Sequence, residues 1–291
     1  MALDVDAPEL GGPPIEEGGP YSGALNRPFA RMPRRLRSVA LEAGGMAELA
    51  ATVLWSAVRH PRGYWSDVVD EMHFTITRSW LAITLSLSGF LLALSGPSVK
   101  WIAVAGLGEI FGPEMFMLST RTFTAWIATM LVAGVIGASI TAEIGSRKVR
   151  EELDAMRVMG IDPIRALVLP RLLSVTLVTG LLAVPAELIT MLSTYVTLHV
   201  TVGEPWSIFM DYEWLNQAPL SFVAIVLNCL ITGFVIGLVS CYKGLNAAGG
   251  ATGLGRAVNQ SVVVSFVALF VVQLGFTALL IGFFPNLGLM K

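Results

Sequence analysis

The chain has 291 residues, of which 54% are hydrophobic and 14% are charged, and its mean hydropathy is +0.70. A soluble domain carries roughly 25% charged residues, so the composition excludes an ordinary water-soluble enzyme. The net charge of −2 provides no basic field for nucleic acid. We therefore expect a membrane protein that has no nucleic acid partner.

The first 40 residues are predicted to be a disordered cytoplasmic tail that ends in a basic patch. Residues 1–26 are rich in glycine, proline and acidic residues, which cannot build a core. Residues 27–37 contain five arginines, which fit a topology signal and lipid headgroup contact, with specific partner recognition as the alternative. No secretory signal peptide is expected, because an apolar core for one is lacking.

Residues 41–74 are predicted to lie at the membrane interface. Within residues 45–60, apolar residues recur every three or four positions, which predicts a helix with one apolar stripe. This helix is too short to cross a bilayer, and Trp55 and its basic flanks suit the headgroup plane. The stripe consists of Met46, Leu49, Ala50, Val53, Leu54 and Ala57.

Residues 75–291 are predicted to form a domain of five transmembrane helices. A bilayer core about 30 Å thick needs roughly 20 apolar residues of helix, and unpaired backbone groups exclude isolated strands. In the fourth stretch, Gly233 and Gly237 predict close helix packing. The fold class is therefore an all-α polytopic membrane protein. The five apolar stretches are residues 79–99, 122–142, 172–198, 218–240 and 261–284.

The distribution of lysine and arginine predicts the orientation. Eight precede the first span, six lie between the second and third spans, and two lie between the fourth and fifth. The loop 200–217 has no base and three acidic residues. The positive-inside rule places the N-terminus in the cytoplasm, and five spans place the C-terminus outside. Residues 100–121 fit either an outer interfacial helix or an extension of a neighbouring span.

The loop of residues 145–171 predicts a separately capped helix at about 146–160. Ser146 is a plausible N-cap, Gly160 is a typical helix end, and Asp162 begins the next helix. An isolated helix of this length is marginal in water, so it needs either another protein or this chain's own spans to pack on. Its apolar stripe is Val149, Leu153 and Met156.

Four runs in and around this loop carry a resemblance to a known family. They are Thr141-Ala142-Glu143-Ile144-Gly145, Glu151-Glu152-Leu153-Asp154-Ala155-Met156, Met159-Gly160-Ile161-Asp162-Pro163 and Pro170-Arg171. They resemble the signature of the MlaE/YrbE family, the permease subunits of lipid-transporting ABC systems that work with Mce-domain proteins. The resemblance covers roughly residues 41–284, and the long polar N-terminal extension is similar to that of actinobacterial members.

The resemblance implies a multi-pass permease in the inner cell membrane, with a lipid such as a fatty acid, phospholipid or sterol as its cargo. It implies ABC ATPase subunits, a second permease chain and Mce-domain substrate-binding proteins as partners. A paralogous heterodimer is expected rather than a homodimer. The chain itself is expected to be no enzyme and to hold no cofactor, with ATP and magnesium bound by the ATPase.

The resemblance also implies that the loop helix is the coupling helix, which sits in a groove of the ATPase. The residues expected to couple to the ATPase are Arg150, Glu151, Glu152, Asp154, Ala155, Met156, Arg157, Gly160 and Asp162.

Glu187 and Asn228 are candidates for the lipid path, because polar groups in a span must face protein, water or a ligand headgroup. The alternative is structural, and hydrogen bonding between helices is favoured for Asn228 and Gln273. The chain departs from many family members at residues 121–125 and at Val135, where polar or helix-bending features usual in the family are missing. Lipid contacts of other members are therefore not carried over.

We expect no catalytic and no metal site in the chain. The glycine-rich residues 249–256 lack the lysine of a phosphate-binding loop, and fit a flexible connector or a contact with the ATPase or partner permease. The histidines His60, His73 and His199 have no metal-ligand spacing. The rival functions are a membrane-embedded lipid-modifying enzyme and a non-catalytic scaffold or channel.

Overall fold

A computed structural model describes residues 34–59, 63–104, 123–203 and 214–283. The chain divides into two units, Met1–Thr52 and Val53–Lys291. The expectations for most of the tail, for residues 105–122 and for most of the loop 200–217 lie outside the described residues.

The described residues form seven helices, which we number α1 to α7. Two π-helical segments interrupt the α-helical pattern, one inside α3 and one immediately before α5. The helices are α1 Arg34–Arg59, α2 Trp65–Val104, α3 Thr124–Val132 continued through π-helical Ala133–Gly137 to Ala138–Val149, α4 Glu152–Val158, α5 Leu169–Val202 after π-helical Ile164–Val168, α6 Trp214–Leu245 and α7 Gly250–Phe283.

The prediction of an all-α polytopic membrane protein is confirmed. Four helical stretches are long and apolar enough to cross a membrane: Thr124–Val149, Ile164–Thr201, Phe222–Leu245 and Gly250–Leu280. The first predicted span lies in α2, which has 40 residues and contains the shorter apolar stretch Ser79–Phe90 among the described residues. Four of the five predicted spans therefore meet this criterion in the described residues.

The helix α1 begins at Arg34, inside the segment predicted to be disordered. Arginine, leucine, alanine and glutamate favour helix, so this extension follows from local propensity. In the second unit, Val53 is buried while Leu54, Trp55 and Val58 are exposed. This end of α1 thus presents an apolar and aromatic surface.

Glycines in α6 allow the close packing of α6 on α5, as predicted. A Cβ atom built on Gly233 would lie 2.7 Å from Thr179 Cβ, and one built on Gly237 would lie 2.8 Å from Leu172 Cδ1. Both distances are shorter than real Cβ contacts, so these positions accept only glycine without a shift.

We expect Gly233→Ala to destabilise the protein by about 1–3 kcal/mol, the usual effect of overpacking. The added methyl group meets both Thr179 and the Val175 carbonyl oxygen, 3.2 Å away. The measurement is the thermal unfolding temperature in detergent. Gly275→Ala is the matched control, because no described atom lies within 4 Å of a Cβ atom there. Equal unfolding temperatures for the two variants would contradict the packing argument.

Buried polar side chains join the helices inside the bundle. The Asn228 side chain of α6 donates to Gln273 Oε1 of α7 at 2.9 Å, which confirms the predicted hydrogen bond between spans. Thr124 and Thr190 join α3 to α5 at 2.9 Å. Each bond satisfies groups that would otherwise be costly in hydrocarbon.

Candidate functional site

The loop that contains α4 lies at the same end of the bundle as the turn between α6 and α7. A Cβ atom built on Gly145, near the end of α3, would lie 3.2 Å from Ala247 Cβ. One built on Gly244 would lie 2.9 Å from Ile144 Cβ. Two of the basic loops therefore share one end of the molecule, which is the arrangement that the positive-inside rule requires.

The predicted start of the loop helix is wrong. Ser146 is not an N-cap, because it lies inside α3 and its hydroxyl donates to the Glu143 carbonyl oxygen at 2.8 Å. The break comes at Glu151, which has a left-handed φ of 60°, and α4 then runs Glu152–Val158. No glycine or proline marks this break in the sequence, so a helix spanning 146–160 was the natural expectation.

The predicted end of the helix is confirmed. Gly160 has a φ of +77° and its N–H donates to the Arg157 carbonyl oxygen at 3.0 Å, while Ile161 N–H donates to Met156 O at 2.9 Å. These two bonds form a Schellman motif, in which glycine avoids the steric penalty of the left-handed conformation. Asp162 Oδ1 accepts from Ile164 N–H at 3.0 Å, so Asp162 caps the next helix as predicted.

We expect Gly160→Ala to loosen α4 by about 1 kcal/mol, the cost of a left-handed alanine. Hydrogen exchange of residues 152–161 should then become about fivefold faster, because local opening follows local stability. Gly255→Ala is the control, since Gly255 does not have a positive φ and no described atom lies within 4 Å of a Cβ there. Unchanged exchange in Gly160→Ala would show that the motif does not set the stability of α4.

Of the predicted apolar stripe only Leu153 is buried, and a different apolar surface faces outward. Leu153 is 1% exposed, so the centre of the stripe packs on the chain itself. By contrast, Val158 is 90% exposed, Met159 67% and Ile161 44%. We call Val158, Met159 and Ile161 the apolar cap. The sequence reasoning missed it, although its signal was present as three large apolar residues around a helix-ending glycine.

The charged residues of the loop already form ion pairs with one another. Arg150 Nε lies 3.1 Å from Glu152 Oε1, and Asp154 contacts Lys148 at 3.3 Å and Arg157 at 2.8 Å. All these side chains are partly exposed, and exposed pairs contribute at most about 1 kcal/mol. The carboxylates can therefore exchange partners at little cost when a basic surface approaches.

The two lipid-path candidates are both enclosed by described residues of this chain. Glu187 in α5 is fully buried and lies within electrostatic range of the Cys229 thiol in α6. Asn228 is also buried, donates to Gln273 and accepts from the Thr232 hydroxyl at 3.2 Å. The side chain of Asn228 thus has the structural role that was favoured for it, and its role in a lipid path stays a prediction.

The glycine-rich loop forms a tight turn rather than a long connector. Gly249 and Gly250 have φ values of +91° and +66°, and Gly253 N–H donates to Gly249 O at 3.2 Å. A Cβ atom on Gly253 would lie 1.7 Å from the Ala248 carbonyl oxygen. Gly249, Gly250 and Gly253 are therefore required by the turn that starts α7.

Comparisons with known proteins identify relatives of the whole bundle. The profile of the family described as Permease MlaE matches residues 68–279. The chain is 28% identical over 209 residues to the chloroplastic Protein TRIGALACTOSYLDIACYLGLYCEROL 1 of Arabidopsis thaliana, a match that covers 72% of this chain and 59% of that protein.

Bacterial relatives match over more of their own length. The chain is 26% identical over 229 residues to a probable ABC transporter permease of Rickettsia prowazekii, covering 78% of this chain and 88% of the relative. It is 27% identical over 206 residues to a probable ABC transporter permease of Synechocystis, covering 70% and 78% respectively. The chain thus spans less than two thirds of the plant protein and most of the bacterial ones.

Proposed function

Because this chain belongs to the MlaE permease family, we propose that it is the membrane-spanning permease of an ATP-driven lipid transporter. The chain is a membrane protein with several apolar helices. In this proposal it lies in the inner cell membrane, with its N-terminus in the cytoplasm and its C-terminus outward. The similarity to ABC transporter permeases supports a separate ATPase chain, which would bind the ATP and magnesium.

The observation that carries the proposal is the apolar cap beside α4. Its three large side chains are exposed. They lie outside the candidate spans Thr124–Val149 and Ile164–Thr201, so contact with the membrane core does not explain their apolar character. Exposed apolar groups flanked by exchangeable charges are typical of a surface that binds a protein. We infer that the cap and the loop charges fit a groove of the ATPase on the cytoplasmic side.

Coupling follows from how α4 is joined to the spans. The short helix connects the end of α3 to the start of α5, and Leu153 fastens it to the chain. When the ATPase closes on ATP, a docked α4 would move with it and shift α3 and α5 between two arrangements. The residues proposed to make or position this contact are Arg150, Glu151, Glu152, Asp154, Ala155, Met156, Arg157, Gly160 and Asp162.

The lipid path is proposed to lie between this chain and a second permease chain, a paralogue rather than an identical copy. Only 17% of the apolar segment of α7 is buried, whereas 44% to 61% of the corresponding segment is buried in each of the other three candidate spans. Much apolar surface is therefore left for lipid or for another permease. We propose that Glu187 and Asn228, which are buried within this chain, join the path when the helices rearrange. Mce-domain proteins are proposed to bind on the outer side.

The test is ATP-dependent lipid transport by the complex purified from native membranes. Proteoliposomes would receive a fluorescent fatty acid, phospholipid or sterol in separate preparations, with and without ATP. We expect an ATPase chain in the complex and ATP-dependent movement of at least one lipid class. Lipid movement that does not need ATP would favour a channel, a chemically altered lipid would favour an enzyme, and the absence of an ATPase would favour a scaffold.

A further inference from the structure

A buried arginine at the base of the α4 loop contacts two acidic residues from different helices. Arg171, near the start of α5, is 5% exposed. Its Nε donates to Glu71 Oε1 of α2 at 3.3 Å, and its Nη2 donates to Glu143 Oε1 of α3. One guanidinium therefore joins three helices.

The position of these contacts relates the α4 loop to the rest of the bundle. Glu143 precedes the loop and Arg171 follows it, so their ion pair closes the base of the loop. Glu71 lies on α2, which does not adjoin the loop in sequence. Arg171 thus links the base of the loop directly to α2.

The pairing is suited to change rather than to simple stabilisation. The Arg171 side chain is buried, whereas those of Glu71 and Glu143 are 26% and 40% exposed. Such ion pairs contribute little net stability, because water screens the carboxylates and desolvation of the arginine offsets much of the attraction. Glu143 Oε1 also lies 3.3 Å from Arg147 Nη2, so it has a second cationic partner within reach. Arg171 Nη1 is buried and has no hydrogen-bond partner among the described residues. Within the described residues, the network therefore contains an unpaired donor, Arg171 Nη1, and an acid, Glu143, that can pair with either Arg171 or Arg147. An element that changes between two states needs such alternatives.

We propose that Arg171 is a positioning residue that transmits movement of the α4 loop to α2 through Glu143 and Glu71. This inference rests on the proposed function, because it assumes that an ATPase moves α4. It assigns α2 a driven role in transport. In this proposal, movement of the α4 loop leads to movement of lipid only when the contact from Arg171 to Glu71 is intact.

The test is Glu71→Gln in the complete reconstituted complex, with the fluorescent lipid that the wild-type complex moves. The change removes the charge that α2 offers to Arg171 and leaves the Arg171–Glu143 pair in place. We expect assembly and basal ATP hydrolysis within about twofold of wild type, and ATP-dependent lipid movement lowered at least tenfold. Asp70→Asn is the matched control, because Asp70 is the exposed neighbour of Glu71 on α2, and it should transport normally.

Normal transport by Glu71→Gln would overturn the inference, as would an equal loss of transport and ATP hydrolysis in a complex that assembles, which indicates a purely structural pair. Should Glu71→Gln not assemble, Glu71→Asp keeps the charge with a shorter reach. It should assemble and hydrolyse at least threefold more ATP per lipid moved, and an unchanged ratio would refute the proposal. Failure of the wild-type complex to move lipid with ATP would instead refute the proposed function.

Discussion

Replacement of Val158 and Met159 by aspartate is expected to abolish binding of the ATPase. In the proposed complex both side chains leave water for an apolar groove, and each burial contributes about 1.5–3 kcal/mol. Loss of both therefore weakens the contact by at least about a hundredfold. The measurements are the amount of ATPase that co-purifies with the permease and the ATP-dependent lipid movement in proteoliposomes.

The double variant Val158→Leu, Met159→Leu is the control, since it keeps an apolar cap of similar size. It should retain the ATPase, and both double variants should unfold at about the wild-type temperature, because exposed positions contribute little to stability. Retention of the ATPase by the aspartate variant at the wild-type level would show that the apolar cap is not the docking surface. The exposed carboxylates of α4 would then have to make the contact without it.

Glu187→Lys is expected to remove most of the folded protein. Glu187 is fully buried in α5, beside α6. A lysine at this position would place a cation in buried surroundings that accommodate a carboxyl group. An uncompensated buried charge costs about 3–5 kcal/mol, which is a large part of the total stability of a typical domain. Fluorescence-detected size exclusion and the thermal unfolding temperature would measure the loss.

The conservative variant Glu187→Gln separates a structural role from a role in the lipid path. It keeps the size and hydrogen-bonding capacity of the side chain, so we expect the fold to persist within a few degrees of the wild-type unfolding temperature. A folded Gln variant with lost transport would support the lipid path, and one with full transport would leave Glu187 as a structural residue. A folded, active Glu187→Lys variant would contradict the burial argument altogether.

Local features of the sequence predicted local features of the structure. The turn at Gly160, the cap at Asp162 and the close packing at Gly233 each depend on one residue type whose backbone or side chain permits few alternatives. The Asn228–Gln273 bond was also foreseeable, because two amides within hydrocarbon spans need partners.

Other features depend on contacts that no local pattern contains. The break at Glu151 occurs in a run of good helix formers, so propensity alone extends the helix back to Ser146. Val158 is exposed because the side of α4 that carries Leu153 faces the chain. The periodicity of the sequence does not reveal which side of the helix faces inward. The Arg171–Glu71 pair joins residues 100 positions apart, and only the packing of α2 on α5 brings them together.

The corner between α3 and α4 turns without a glycine, and this has a mechanical consequence. Hydrogen bonds bracket it on both sides, from Glu151 N–H to Lys148 O at 3.0 Å and from Ala155 N–H to Glu151 O at 3.0 Å. A residue with a Cβ atom has far fewer accessible backbone states than glycine. The corner therefore resists bending. In the proposed transporter, a push on α4 would reach the membrane helices as displacement instead of being absorbed at the corner.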